Sequence, residues 1–97
     1  MLSQTYYLLR SQVDGQYLVA RPRIGETPSS GGFLMLFAAD YDALSYVNAH
    51  GAEVASQFKV ETLAGTQLKP LLDRWGFEGI GLVKDPLVPQ VEFMRVT

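Results

Sequence analysis

Phe33-Leu34-Met35-Leu36-Phe37-Ala38-Ala39-Asp40-Tyr41-Asp42-Ala43 is the stretch on which the fold turns. Side chains alternate between the two faces of a strand, so five consecutive apolar residues describe a central strand buried on both faces. Ala38-Ala39 then leads to Asp40, whose carboxylate can accept from the exposed amides of a helix start. The helix is predicted from about Tyr41 to Ala49, with Ala43, Leu44 and Val47 toward the sheet and Gly51 as its stop.

Toward the C-terminus, Phe58, Val60 and Thr62 alternate with Lys59 and Glu61, which predicts a half-buried strand over Gln57 to Thr62. Leu68, Leu71, Leu72 and Trp75 follow at i, i+3, i+4 and i+7 and mark one apolar helix face. Thr66 as N-cap would place Pro70 within the helix, where it removes one backbone bond; a start nearer Pro70 is the alternative. Gly76 ends this helix, and Glu78 to Val83 and Gln90 to Val96 read as two strands joined by a turn containing Asp85-Pro86 and Pro89.

Toward the N-terminus, Tyr6 to Val13 and Gln16 to Arg21 are β-rich runs separated by Asp14-Gly15. That dipeptide predicts a two-residue type I′ hairpin turn. Tyr6 and Leu8 fall on one side of the first strand, Tyr7 and Leu9 on the other, so it is partly covered on both sides. Pro22 to Gly32, rich in Gly, Pro and Ser, reads as a loop. The order β-β-β-α-β-α-β-β over residues 1–97 predicts a single α+β domain. Its mixed sheet carries two helices packed on one face.

Residues 33–86 resemble the N-terminal domain of SseB-type bacterial proteins. The likeness lies in the strand that runs into Ala38-Ala39-Asp40-Tyr41-Asp42-Ala43, the Leu-rich helix Leu68 to Trp75, and the turn Gly76-Phe77-Glu78-Gly79-Ile80-Gly81-Leu82 that feeds a strand. The resemblance implies a small α+β module linked to secretion regulation, with no assigned catalytic residue. This chain differs in its N-terminal hairpin and its long Gly/Ser/Pro loop, and no second domain is expected in it.

Composition narrows the chemistry. With 47% hydrophobic and 19% charged residues the chain falls among folded proteins, not disordered ones. Ten acidic and eight basic residues give a net charge of −2, without the basic stripe that a nucleic-acid surface requires. No apolar run approaches the ~20 residues of a membrane span. The start Met1-Leu2-Ser3-Gln4 has neither the basic nor the apolar region of a signal peptide, so a cytoplasmic location is expected. Without cysteine there is no thiolate nucleophile, disulfide or thiolate metal site.

The remaining candidate sites have simpler explanations. The single histidine, His50, stands at a helix C-terminus, where a cation is favourable without any catalytic role. Asp40 and Asp42 serve the helix start in preference to a Mg²⁺ or Ca²⁺ site. Gly25 to Gly32 lacks the Gly-Lys-Ser/Thr ending of a phosphate loop and precedes a strand instead of a helix. Gly79 and Gly81 share one strand face, which lets a backbone or an aromatic ring approach closely. No catalytic residue, cofactor or metal is expected.

The aromatic residues, Tyr17 above all, together with Arg10 and Arg21, are the expected interaction surface. The reading that follows is a non-enzymatic protein–protein interaction module that self-associates as a homodimer through a sheet edge or face. Helices on one face would leave the other apolar, and a monomer seldom exposes a contiguous apolar patch beyond roughly 300–600 Å². The alternative is a small-ligand regulatory domain, with its pocket where the loop Pro22 to Gly32 meets Asp40.

Overall fold

The structure, a computed structural model, describes residues 4–21, 23, 24, 27, 28, 31–88 and 90–95. Its elements in chain order are β1 (Thr5–Ser11), β2 (Val19–Ala20), β3 (Arg23–Ile24), β4 (Thr27–Pro28) and β5 (Phe33–Phe37). There follow α1 (Asp40–His50), β6 (Phe58–Ala64), α2 (Leu68–Trp75), β7 (Gly79–Asp85) and β8 (Gln90–Arg95). A 3₁₀ turn precedes β6 (Ala52–Gln57) and another precedes α2 (Gly65–Gln67). These elements make an α+β fold around one mixed sheet, ordered β6-β1-β5-β7-β8, with β2 paired to β5 beside this path.

β1 is antiparallel to both β5 and β6, and β5 is parallel to β7. Hence β5, β6 and β7 all run the same way. The connection through α1 crosses β1 in one direction, and the connection through α2 returns across β1 and β5 in the other. Crossovers of the same right hand that traverse a sheet in opposite directions put their helices on opposite faces. The two cores have this arrangement. Leu34 and Leu36 of β5 pack with Leu68 and Leu72 of α2, while Met35 and Phe37 pack with Ala43 and Val47 of α1. The expectation of two helices on one face is therefore corrected: each face of the sheet has its own helix.

Local details account for the element boundaries. In α1 the cap is Ala39, extended and one position ahead of the expected Asp40, and the Asp40 carboxylate accepts from the Tyr41 amide at 2.7 Å. Leu44 does not face the sheet and is 48% exposed. It is turned about 100° from Ala43 around the helix axis, off the row that Ala43 and Val47 form. In α2 the first residue is Leu68, between the two expected starts. Pro70 is then the third helical position, where its missing N–H would have had no intrahelical partner anyway. The helix ends at Gly76 in the left-handed region (φ 73°), and the Phe77 amide donates back to the Leu72 carbonyl at 3.0 Å.

The N-terminal hairpin forms with a different turn. Gly15 has φ 73°, as a turn requires, but Asp14 does not share a positive φ, so the type I′ turn is not made. Ser11 and Gln16 pair across a longer loop, in which the Gly15 amide donates to the Ser11 carbonyl at 2.9 Å and Asp14 Oδ1 accepts from the Gln16 amide. The return strand is also shorter than expected. Tyr17 bridges to Arg10, and the Leu18 amide donates to the Leu9 carbonyl while the Leu18 carbonyl accepts from Met35. This segment is a wedge between β1 and β5, whose own direct pairing is Tyr7 with Phe37. Within the expected loop, β3 and β4 form a two-residue ribbon, and residues 22, 25, 26, 29 and 30 lie outside the described ones.

Candidate functional site

Arg10 and Tyr17, two of the three expected surface residues, are brought together, but their side chains are engaged within the molecule. The Arg10 guanidinium donates from Nε to the Gly15 carbonyl at 2.9 Å and lies 3.8 Å from the Glu61 carboxylate. It also sits 4.9 Å from the centre of the Tyr17 ring. Tyr17 is half-buried, edge-on to Trp75 at 4.9 Å, and Trp75 in turn stacks with Phe77 at 6.1 Å. This cluster fastens the wedge to the end of α2. Arg10 and Tyr17 are held in place from inside the molecule, and both remain partly exposed. Arg21 is exposed at the far end of the wedge, beside Gly32 and apart from Arg10.

His50 ends α1, as the sequence implies, and reaches further than a cap. Its Nε2 lies 2.8 Å from the Pro86 carbonyl oxygen, a contact that needs the proton on Nε2 because a carbonyl only accepts. The ring also lies against Tyr46, with centroids 4.9 Å apart. His50 thus ties α1 to the β7–β8 turn, where Asp85 Oδ1 accepts from the amides of Leu87 and Val88. Beside it, a crevice of about 230 Å³ is floored by Leu18, Val47 and Phe58. Among the described residues, no three His, Cys, Asp or Glu side chains come together as metal ligands.

The glycines of β7 do what their spacing suggests. Phe93 is the register partner of Gly81, and a Cβ on Gly81 would meet its ring at 3.1 Å. The same ring is edge-on to Phe33 at 5.4 Å. Phe93 nevertheless remains 42% exposed, because β8 is the last strand on its side of the sheet. The adjoining turn presents Leu87 at 64% and Val88 at 73% exposure. The sequence reading missed this apolar hairpin, since alternation in Gln90 to Val96 says nothing about which strand lies at an edge.

At the opposite edge, β6 is flanked by a groove of about 330 Å³ lined by Leu63 of β6 and by Gln67, Pro70, Leu71 and Arg74. The last four follow the spacing i, i+3, i+4 and i+7, so α2 and the 3₁₀ turn before it carry a second stripe beside the buried one. That spacing was legible in the sequence, but the buried stripe Leu68-Leu72-Trp75 overlapped it and took precedence. Arg74 is exposed and has no acidic partner among the described residues, unlike its neighbours Lys69 and Asp73, which pair at 3.7 Å. The expected pocket between the Pro22 to Gly32 loop and Asp40 is not one of these two hollows, and part of that loop lies outside the described residues.

No helix among the described residues is long and apolar enough to cross a membrane. No family model, curated protein or solved structure matches the chain.

Proposed function

We propose that the chain is a protein-interaction module, binding and not catalysing, that pairs with a second copy of itself through the open edge of β8. The observation that carries this reading is the β7–β8 hairpin, an edge strand with an exposed aromatic beside two exposed aliphatic residues. Edge strands expose unpaired backbone groups and are usually blunted by charge. β8 carries Glu92 near its middle and Arg95 at its end, but Val91, Phe93 and Met94 make up half of it. The likeness to SseB-type proteins, which implies modules without a catalytic residue, points the same way. Self-association through an uncovered sheet face is not retained, because both faces carry helices.

The register follows from symmetry. Two identical antiparallel edge strands are related by a twofold axis normal to the sheet, so residues that meet must share a face. Centring the axis on Glu92 would oppose like charges, a destabilising pair. Centring it on Phe93 stacks two phenyl rings and places Glu92 opposite Met94 of the second copy.

Sedimentation equilibrium at micromolar concentration tests this. A dimer of twice 10.7 kDa is expected, converted to monomer by Phe93→Lys with the circular dichroism spectrum retained. Because Phe93 also covers Gly81, the exposed pair Leu87→Lys/Val88→Lys serves as a second variant and should weaken the dimer without touching the core. A wild-type mass of 10.7 kDa sinks the reading.

A further inference from the structure

The β6 edge is open in a different way from β8, and its chemistry points to a different partner. Three features coincide there. β6 has a pairing partner, β1, on one side and, among the described residues, none on the other. Beside it runs the groove walled by α2, with Leu63, Pro70 and Leu71 supplying apolar surface. At the groove lies Arg74, a cation with no counter-charge among the described residues, together with the Gln67 amide. Lys59, exposed on the same strand, adds positive charge nearby.

We propose that this groove is a binding site for an extended peptide segment of a partner protein, which adds to β6 as a further strand. The segment carries an aliphatic side chain and, two residues away, a carboxylate. The backbone of the segment pairs with the free groups of β6, and specificity comes from alternate side chains, as in strand addition generally. Residues two apart in a strand share a face and lie roughly 6.5 Å apart. Four helical residues rise about 6 Å, so the span from Pro70 to Arg74 matches that step. The aliphatic group therefore lies on Leu63, Pro70 and Leu71 while the carboxylate meets the Arg74 guanidinium, which takes a carboxylate in two parallel hydrogen bonds.

The charges on β6 fit this selective role. Glu61 lies 3.8 Å from Arg10, whose positive charge offsets its repulsion of an acidic segment. Lys59 discourages pairing with another cationic edge while leaving an acidic one favoured. The site stands apart from β8, at the other end of the strand order, so it does not depend on self-association.

The test uses the full chain, ¹⁵N-labelled, and two capped heptapeptides, Thr-Val-Thr-Leu-Thr-Glu-Thr and the same sequence with Lys in place of Glu. The Glu peptide should shift the amides of Phe58–Ala64 and of α2 saturably, with at least tenfold tighter binding than the Lys peptide. Arg74→Glu should reverse that preference, and Leu71→Asp, at a half-buried position, should weaken both peptides. Arg74 is exposed and outside both cores, so its variant tests the site without unfolding the chain. No saturable shift in β6 at millimolar peptide, or equal binding of the two peptides, overturns the proposal. Shifts confined to Gln90–Arg95 also overturn it, assigning strand addition to the β8 edge. The outcome is independent of the sedimentation mass, so either reading can fail alone.

Discussion

Leu36 and Phe37 are consecutive residues of β5, both are wholly buried, and they belong to different cores. Leu36 lies under α2 with Leu72 and Ile80, and Phe37 lies under α1 with Ala43 and Val83. The side-chain alternation of a strand turns this one peptide step into the partition of the whole molecule. The following predictions rest on that partition and on the close approaches it forces.

Leu72 and Leu71 are neighbours on α2 with unequal roles. Leu72 is buried in the core under α2, whereas Leu71 is half-buried and borders the groove. Leu72→Ala should cost about 2–5 kcal/mol, and Leu71→Ala distinctly less. Urea denaturation of both variants measures the difference, and equal losses would contradict the placement of the helix.

Gly79 admits no side chain. A Cβ there would collide with the Met94 carbonyl oxygen, a backbone atom that can move only with β8. Gly79→Ala should therefore destabilise by about 1–3 kcal/mol or more. It should also increase hydrogen exchange first in Gln90–Arg95. Gly81→Ala meets only the ends of Met35, Phe93 and Val91 at 3.1–3.2 Å, so its effect should be smaller.

Gly15 holds φ 73° in the hairpin loop. Valine is disfavoured in that left-handed region by roughly 1–2 kcal/mol, while asparagine visits it more readily. Thermal melts should rank wild type above Gly15→Asn and Gly15→Asn above Gly15→Val. A Gly15→Val melt equal to wild type would remove the turn from the account.

Arg10 joins the hairpin loop, β6 and Tyr17 through one guanidinium. Lysine keeps the charge but loses the planar fork, so Arg10→Lys should not restore what Arg10→Ala removes. Both should lower stability by about 1 kcal/mol and alter the near-ultraviolet circular dichroism of Tyr17 and Trp75. The Arg10–Glu61 pair is partly exposed and contributes little by itself. Glu61→Gln should therefore be the mildest of the three.

The sequence by itself determined the kind and place of most elements. The run from Phe33 to Phe37 is a strand because five apolar residues suit burial on both faces. Residues 68–75 are a helix because Leu68, Leu72 and Trp75 recur at its period, and Gly76 ends it because glycine accepts the left-handed turn. That same run already required cover on both faces, which two helices on one face could not supply.

Only the tertiary structure decided which strand lies beside which, and the rest follows from that order. Strand neighbours are chosen by hydrogen bonds between segments distant in the chain, and a period of two residues does not name a partner. With β1 set between β5 and β6, the two crossovers run in opposite directions and the helices part to opposite faces. The same order places β6 and β8 at the edges, exposes Phe93, and leaves Arg74 beside an open strand. It also brings Glu61 to Arg10, because β1 and β6 are neighbours and Leu8, two residues from Arg10, is the register partner of Glu61. Residues two apart on one strand share a face, so that pairing decides whether Arg10 is a free cation or an internal tie.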